Sequence, residues 1–315
     1  MSHTVRGAAG LAGTIAATIA ALLTLAGCGG STENPVEQGA GKPGQNAGQK
    51  TVVVGSANFP ENVLLGEIYA QALEDKGVKV ETKLNIGSRE VIYDQIKSGG
   101  LTVLPEYNGA LLAHVDPETT ATETAEVNAE LRQKLPGSLE LLESSAAEDK
   151  DSLTVTAATA QKHDIRSIAD LEPVADGFVI GGPPEFKTRV QGLVGLQKVY
   201  GLGFESFRSL DVGGPITVAA LKQGDIDVAN LFTTDPAIDQ NGFVILEDPE
   251  RLFTAQNVTP LVYRPGVNDT VRQTLDEISA NLDTKTLSAL LERVVTDKQD
   301  PDQVARDWLR SQGLR

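Results

Sequence analysis

A stretch that the chain writes twice sets the strongest constraint on its fold. Residues 84–109 read LNIGSREVIYDQIKSGGLTVLPEYNG, and residues 210–232 read LDVGGPITVAALKQGDIDVANLF. Leu84-Asn85-Ile86-Gly87 matches Leu210-Asp211-Val212-Gly213. After one residue is dropped from the middle, Ile96-Lys97, Gly99, Leu101 and Val103 match Leu221-Lys222, Gly224, Ile226 and Val228. Each copy reads as strand end, Gly turn, short amphipathic helix, Lys-x-Gly turn and apolar strand. A helix joining two strands of one sheet makes them parallel and the crossover right-handed. Two such units predict two similar α/β lobes facing one another.

The rest of the folded part fits that plan. Thr51–Ser56 is a β-branched run ending in Gly, as a buried parallel strand would be. The spacing predicts a helix after Asn62 that runs through Lys76, with Gly77 closing it. Val78–Leu84 alternates as a second strand. Residues 117–150 read as a helical, acidic excursion of the first lobe, and Ser152–Ala157 as a strand just before the chain first changes lobe. Further elements are a short helix at Ile165–Leu171, a strand at 178–182, a helix over 185–200, and strands at Phe243–Leu246 and Thr259–Tyr263. Helices at 268–282, 284–295 and 301–312 end the chain, the last opening with Asp300 as N-cap and Pro301 at N1. Trp308 and Leu309 are expected to bury against the first lobe.

The N-terminus carries a different message. Arg6 is followed by an uncharged Ala/Leu/Ile-rich run over residues 10–27 that ends Leu25-Ala26-Gly27-Cys28. A basic start, a short apolar run and small residues before a boundary make a secretory signal. The L-A-G-C ending resembles a bacterial lipobox, which implies lipid on Cys28, the chain's single cysteine. Residues 29–50 hold six Gly, two Pro and no aromatic residue. They cannot offset their own ordering entropy by burial, and read as a flexible tether with a reach of roughly 25 Å. A net charge of −16 argues against nucleic acid as a partner.

Ligands of parallel α/β sheets sit beyond the carboxyl ends of strands, near helix N-termini. That rule selects five loops, Ala57–Asn62, Gly87–Arg89, Glu106–Asn108, Pro184–Arg189 and Thr233–Asp235. If the lobes face each other, all five line one cleft. Arg89 and Arg189 are its donors, and Glu106 and Asp235 its acceptors. No P-loop, G-x-S-x-G, H-E-x-x-H or G-x-G-x-x-G pattern is present, and His114 and His163 have no partner nearby in sequence. Prolines at 183 and 184 remove donors that a phosphate cradle would need. A carboxylate pair drawn from Glu106, Asp149, Glu185 or Asp235 is the one arrangement suited to acid–base chemistry.

The blocks VVVGSANFPENVLLGEIYAQALEDKG, LNIGSREVIYDQIKSGGLTVLPEYNGALL, GGPPEFKTR, YGLGF, LKQGDIDVANLFTTD and VARDWLRSQGL carry a resemblance over nearly all of residues 51–313. They are similar to the substrate-binding proteins of osmoprotectant ABC importers, which handle glycine betaine, choline, carnitine and proline. The resemblance implies a periplasmic-binding-protein-like two-lobed clamshell of type II, its lobes joined by two crossing strands. It also implies capture of a small-molecule solute between the lobes and delivery to membrane permease and ATPase subunits. No catalysis, cofactor, metal or nucleic acid is implied.

Family members hold a quaternary ammonium in a box of aromatic faces. Here Ala57 stands where the common pattern has Lys. Leu104, Asn108 and Ala110 replace other pattern residues around a retained Tyr107, and Arg189 matches the Arg after G-G-P-P-E-F. The positions usually aromatic fall on Asp151 and near Asn241 and Gln256. With aromatics at 4% of the chain, the nearest substitutes are Phe59, Phe186 and Phe232.

The organisation expected is a leader at 1–27, lipidated Cys28 with a tether to 50, lobe I over 51–155, lobe II over 156–253, and a return to lobe I over 254–315. The ligand site is expected at Asn58, Phe59, Ser88, Arg89, Glu106, Tyr107, Asn108, Asp149, Phe186, Arg189, Thr233, Thr234 and Asp235. The protein is expected to be a monomeric, lipid-anchored receptor on the extracytoplasmic face of the cell membrane, serving uptake of quaternary amines. The alternatives are a different small polar or phenolic solute on the same scaffold, because the Lys anchor and aromatic box are depleted, or a secreted enzyme or structural envelope lipoprotein.

Overall fold

The structure, a computed structural model, describes residues 50–314. The expected leader, the Cys28 lipidation site and nearly all of the tether lie outside the described residues. Strand β1 (Val52–Ala57) is the β-branched run, and it turns directly into α1 (Pro60–Asp75), which has Pro60 at its first position. That helix starts earlier than its apolar periodicity indicates, because Pro is pre-set for N1. β2 (Val80–Gly87), α2 (Arg89–Lys97) and β3 (Val103–Tyr107) are the first copy of the doubled unit. α3 (Asn108–Val115), α4 (Thr124–Lys134) and β4 (Leu139–Leu141) follow.

The chain then enters the second lobe through β5 (Asp151–Thr156), α5 (Ala157–His163) and β6 (Val179–Gly182). After α6 (Leu193–Tyr200), the second copy comprises β7 (Ser206–Ser209), α7 (Pro215–Gln223) and β8 (Val228–Phe232). α8 (Pro236–Asn241), β9 (Phe243–Ile245) and the returning β10 (Val258–Tyr263) lead to three closing helices. These are α9 (Asp269–Asn281), α10 (Thr284–Val295) and α11 (Pro301–Gln312). Asp300 caps α11 by accepting from the Asp302 N–H at 3.0 Å.

Two five-stranded sheets result, ordered β2-β1-β3-β10-β4 and β7-β6-β8-β5-β9. In each, one strand (β1 or β6) is flanked in parallel by the two strands of a doubled unit. Next in each sheet comes an antiparallel strand that lies beside a crossing between lobes, β10 in the first and β5 in the second. The duplicated sequence is therefore a duplicated topology. The crossings run side by side, with the Asp149 N–H donating to the Gln256 carbonyl at 3.1 Å and the Val258 N–H to the Ala147 carbonyl at 2.9 Å.

Alternation along the strands fills both faces of the first sheet. Val103 and Val262 turn towards α1, α9, α10 and α11, where Trp308 and Leu309 are buried. Leu104 and Leu261 turn the other way, towards α2, α3 and α4. The second sheet has Phe186, Leu196 and Val228 on one face and Leu221, Leu231 and Ile238 on the other. Each fully buried Leu or Phe contributes about 1.5–3 kcal/mol relative to exposure.

Three sequence expectations are corrected. The boundary after residue 155 falls earlier, because β5 is hydrogen-bonded to β8 and β9 in the second sheet. A strand run identifies a strand but not its partner. The helix expected over 185–200 divides into a 3-10 turn at Pro184–Lys187 and α6. The break is at Gly192, where a Cβ would lie 2.0 Å from the Phe186 carbonyl oxygen. Residues 117–150 hold α4 but also β4, which pairs with β10 as part of the first sheet.

Close approach also decides Gly109, in the first turn of α3. A Cβ there would sit 2.1 Å from the backbone oxygen of Ala255 on the second crossing. Gly109→Ala is expected to lower stability by about 2–3 kcal/mol, as an overpacked site does. Gly137→Ala, facing open space, is expected to stay within about 0.5 kcal/mol. Urea unfolding of the two variants checks the pair; equal midpoints would contradict the tight contact between α3 and the crossing.

Candidate functional site

The carboxyl ends of the parallel strands in both lobes open into one cleft. The turn from β1 into α1 supplies Asn58 and Phe59. The turn is tied down by Asn62, whose Oδ1 accepts from the Ala57 N–H at 2.7 Å while its Nδ2 donates to the Pro105 carbonyl at 3.1 Å. Ser88 and Arg89 come from the start of α2, Glu106 and Tyr107 from the end of β3, and Glu185 and Arg189 from the second lobe. Asp149, Asp151 and Gln256 enter from the crossings.

Two ion pairs organise the charge. Arg89 grips Glu106 through Nε at 3.0 Å and Nη2 at 2.8 Å, both side chains being largely buried. Arg189 reaches across the cleft mouth from the second lobe and grips Glu90 through Nε at 2.9 Å and Nη2 at 3.1 Å. Partial burial pushes the Glu90 carboxyl upward, but the Arg189 hydrogen bonds and charge outweigh it and draw it down to about 2.

At the floor of the cleft lies a buried network around Glu61, the second residue of α1. The Tyr107 hydroxyl donates to Glu61 Oε1 at 2.7 Å, and the Thr234 hydroxyl of the second lobe donates to Oε2 at 2.6 Å. Asp149 lies beside Glu61 and accepts from the Thr234 N–H at 3.1 Å. Neither carboxyl forms an ion pair among the described residues, and each is 2% exposed. Burial pushes Asp149 well above the usual carboxylate range, and the Glu61 charge adds to the effect. Burial raises Glu61 as well, opposed by the hydrogen bonds it accepts from Thr234 and Tyr107. Like charges this close do not both ionise, so the pair holds one proton. Burial and the Glu61 charge also hold Tyr107 as a neutral phenol, hence a donor.

Aromatic faces meet across the same floor. Phe59 of the first lobe stacks on Phe232 of the second, with centroids 5.4 Å apart and planes 21° apart. Tyr107 lies 6.0 Å from Phe59. Gly213, at φ 58°, lets the chain pass against the Phe232 ring, which a Cβ would meet at 2.9 Å. A second space lies against Phe59 and Phe232 and is bordered by Glu61, Thr234 and Asp235. Asp235 caps α8 by accepting from the Ala237 N–H at 2.8 Å, and burial pushes it up to about 6.

Of the thirteen residues expected at the site, Asn58, Phe59, Ser88, Arg89, Glu106, Tyr107, Asp149 and Arg189 line the cleft. Thr234 and Asp235 border the adjoining space. Three of the expected residues do not line either space. Asn108 turns into the crossing, donating to Asn128 Oδ1 at 2.9 Å and accepting from the Asn257 N–H at 2.7 Å. Phe186 is 1% exposed in the core of the second lobe. Thr233 is exposed and receives the Lys150 N–H at 2.9 Å, at the back of the hinge.

Five further residues stand at the site: Glu61, Asp151 and Gln256, together with Glu185, which the sequence offers only as a candidate member of a carboxylate pair, and Phe232, which it offers only as a substitute aromatic. An acid after Pro at the start of a helix resembles an ordinary first-turn charge, which hid Glu61. Asp151 and Gln256 were marked only as positions where the resemblance leads to an aromatic. Asp151 accepts from Asn230 Nδ2 at 2.9 Å, and Gln256 Nε2 reaches it at 3.4 Å.

Two α/β lobes on paired crossings, with a cleft between them lined by both, define a solute-binding protein of the clamshell class. The chain belongs to the family of substrate-binding domains of ABC-type glycine betaine transport systems, which matches residues 50–311. It is 30% identical over 277 residues to the glycine betaine-binding protein YehZ of Escherichia coli, covering 83% of this chain and 90% of that protein. It is 27% identical over 281 residues to a glycine-betaine-binding protein of Pseudomonas aeruginosa, covering 84% and 89%. The ligand-free structure of YehZ superposes with a TM-score of 0.57 at 27% identity, over 84% of this chain and 99% of that one. A structure described as a glycine betaine/carnitine/choline ABC transporter gives 0.65 at 18% identity, over 84% and 99%, a likeness of fold. Proteins of this family act outside the cytoplasm and deliver small solutes to a permease.

The floor network has a pH signature. A carboxyl raised by folding binds its proton more tightly in the folded state, so its contribution is present in acid and is lost as pH rises from the ordinary carboxylate range through the raised value. Asp149→Asn keeps a neutral side chain at every pH. The difference in melting temperature, variant minus wild type, is therefore expected to become more positive between pH 5 and pH 8. A difference that stays constant or falls would contradict the shared proton.

Proposed function

We propose that the protein is a receptor for a quaternary-amine solute, held between its lobes on the Phe59, Tyr107 and Phe232 rings and handed to the permease of an ABC importer. The observation that carries this reading is the meeting of aromatic faces from both lobes beside buried carboxylates that have no basic partner. A quaternary ammonium donates no hydrogen bond, so ring faces and nearby negative charge are what can hold it. The names of the relatives support the same ligand class, since two are called glycine betaine-binding proteins. A different polar or phenolic solute was suggested by Ala57 in place of a Lys and by the low aromatic content. The three rings gathered at the cleft weigh against it.

The role is capture, not catalysis. Glu106 is held by Arg89, and the Glu61–Asp149 pair is sealed under Tyr107 and Thr234, which suits charge and closure more than proton transfer to a substrate. His163 packs edge-on against Phe178 away from the cleft, and His114 packs edge-on against Tyr93 beside the space at its mouth that Arg89, Asp151 and Arg189 also line. The lobes are proposed as residues 51 to about 150, the following segment to about 253, and the return from 254, with the crossings as hinge. The mature protein is proposed to be a monomer tethered by lipid on Cys28 to the extracytoplasmic face of the membrane, working with permease and ATPase subunits. No helix among the described residues is long and apolar enough to cross a membrane.

Calorimetric titration with choline, glycine betaine and carnitine tests the reading. At least one is expected to bind. Phe59→Ala and Phe232→Ala are each expected to weaken it tenfold or more, about 1.4 kcal/mol. Absence of binding by all three, or unchanged affinity in both variants, would overturn it.

A further inference from the structure

The charge at the cleft surface is unequal. Its walls carry four carboxyl groups, Glu106, Asp149, Asp151 and Glu185, against two guanidinium groups, Arg89 and Arg189. Neither guanidinium is free. Arg89 is closed on both oxygens of Glu106, and Arg189 on both oxygens of Glu90, with Glu185 a further 3.9 Å contact. Position 57, at the end of β1, is Ala and supplies no ammonium. Asp149 and Asp151, with Glu61 behind them, form no ion pair among the described residues. Their contacts are neutral donors, namely Thr234, Tyr107, Asn230 and Gln256.

These facts bear on the two ends of a ligand differently. An ammonium entering the cleft meets ring faces, Asp151 and the single charge that the Glu61–Asp149 pair keeps. A ligand carboxylate meets only cations that carboxylates already hold, in a place where Glu106 and Asp151 repel it. An anion moved out of water towards cations that carboxylates already share, with Asn58 the neutral amide beside them, is disfavoured. Displacing Glu106 from Arg89 would leave Glu106 itself buried and unpaired.

We propose that this cleft selects quaternary ammonium ligands of net positive charge over zwitterionic ones, with the Arg89–Glu106 and Arg189–Glu90 pairs as the determinants of that choice. The inference rests on the quaternary-amine reading and narrows it to an amino-alcohol or simple tetraalkylammonium cation. Arg89 and Arg189 then act as clamps on the protein's own carboxylates instead of as anchors for the ligand.

The test is titration of the whole protein with choline, tetramethylammonium and glycine betaine under one set of conditions. Choline is expected to bind at least tenfold more tightly than glycine betaine, with tetramethylammonium on the choline side. Glycine betaine bound as tightly as choline, or more tightly, overturns the selection while leaving the quaternary-amine reading standing. Failure of all three to bind overturns that reading and the selection with it.

Glu106→Gln removes the charge that holds Arg89. It is expected to move the choline-to-betaine ratio at least tenfold towards betaine, a readout that loss of packing alone would not shift. If this variant does not fold, as judged by its thermal melt, Glu90→Gln at the more exposed mouth releases Arg189. It is expected to move the ratio in the same direction by a smaller factor. A ratio unmoved in the folded variant overturns the role given to the ion pairs.

Discussion

One buried carboxylate joins the parts of this molecule that have to meet. Glu61 accepts a hydrogen bond from Tyr107, in its own lobe, and another from Thr234, in the opposite lobe. It lies against Asp149, on the crossing between them. A buried carboxylate persists only with such donors, because the cost of leaving it unpaired is several kcal/mol. The contact therefore couples the approach of the lobes to the shape of the hinge. The Phe59–Phe232 stack lies beside it, so the arrangement of the ring faces depends on the same closure.

The duplicated topology explains why the groups converge. Each sheet carries the same order, a first strand flanked by the two strands of a crossover unit. Loops at the carboxyl ends of parallel strands collect on one edge of a sheet. With the sheets facing each other, loops distant in sequence line one space. The antiparallel strands β10 and β5 continue into the crossings, so Asp149, Asp151 and Gln256 reach the cleft from the hinge itself. A hinge that contributes wall residues makes binding and lobe closure one event, as in other two-lobed solute receptors.

Much of this was legible in the sequence. Strand runs, the Gly77 stop and the Asp300-Pro301 start rest on local chemistry, and they lie where periodicity and capping put them. The doubled unit revealed two lobes because its strand and turn residues recur in the same order on either side of a one-residue difference between the two turns. What was hidden depended on partners distant in the chain. β5 reads as a strand anywhere, and only its pairing with β8 and β9 assigns it to the second lobe. Phe186 and Asn108 follow Gly- and Pro-rich strand ends as cleft residues do, yet one fills a core and the other ties α3 to the second crossing. Glu61 looked like a helix-start charge. Its importance comes from Thr234, 173 positions later. The ion pairs were hidden in the same way, since Arg89 and Arg189 read as ligand anchors until Glu106 and Glu90 are seen to hold them.

The central claim is capture of a quaternary ammonium between the lobes, on rings contributed by both. A crystal structure of the protein grown with choline tests it most directly. The ammonium nitrogen is expected within about 6 Å of the Phe59, Tyr107 or Phe232 ring centres, with Thr234 still bonded to Glu61 across the closed lobes. Choline found on one lobe alone, or lobes that stay apart with choline bound away from the rings, would contradict the account.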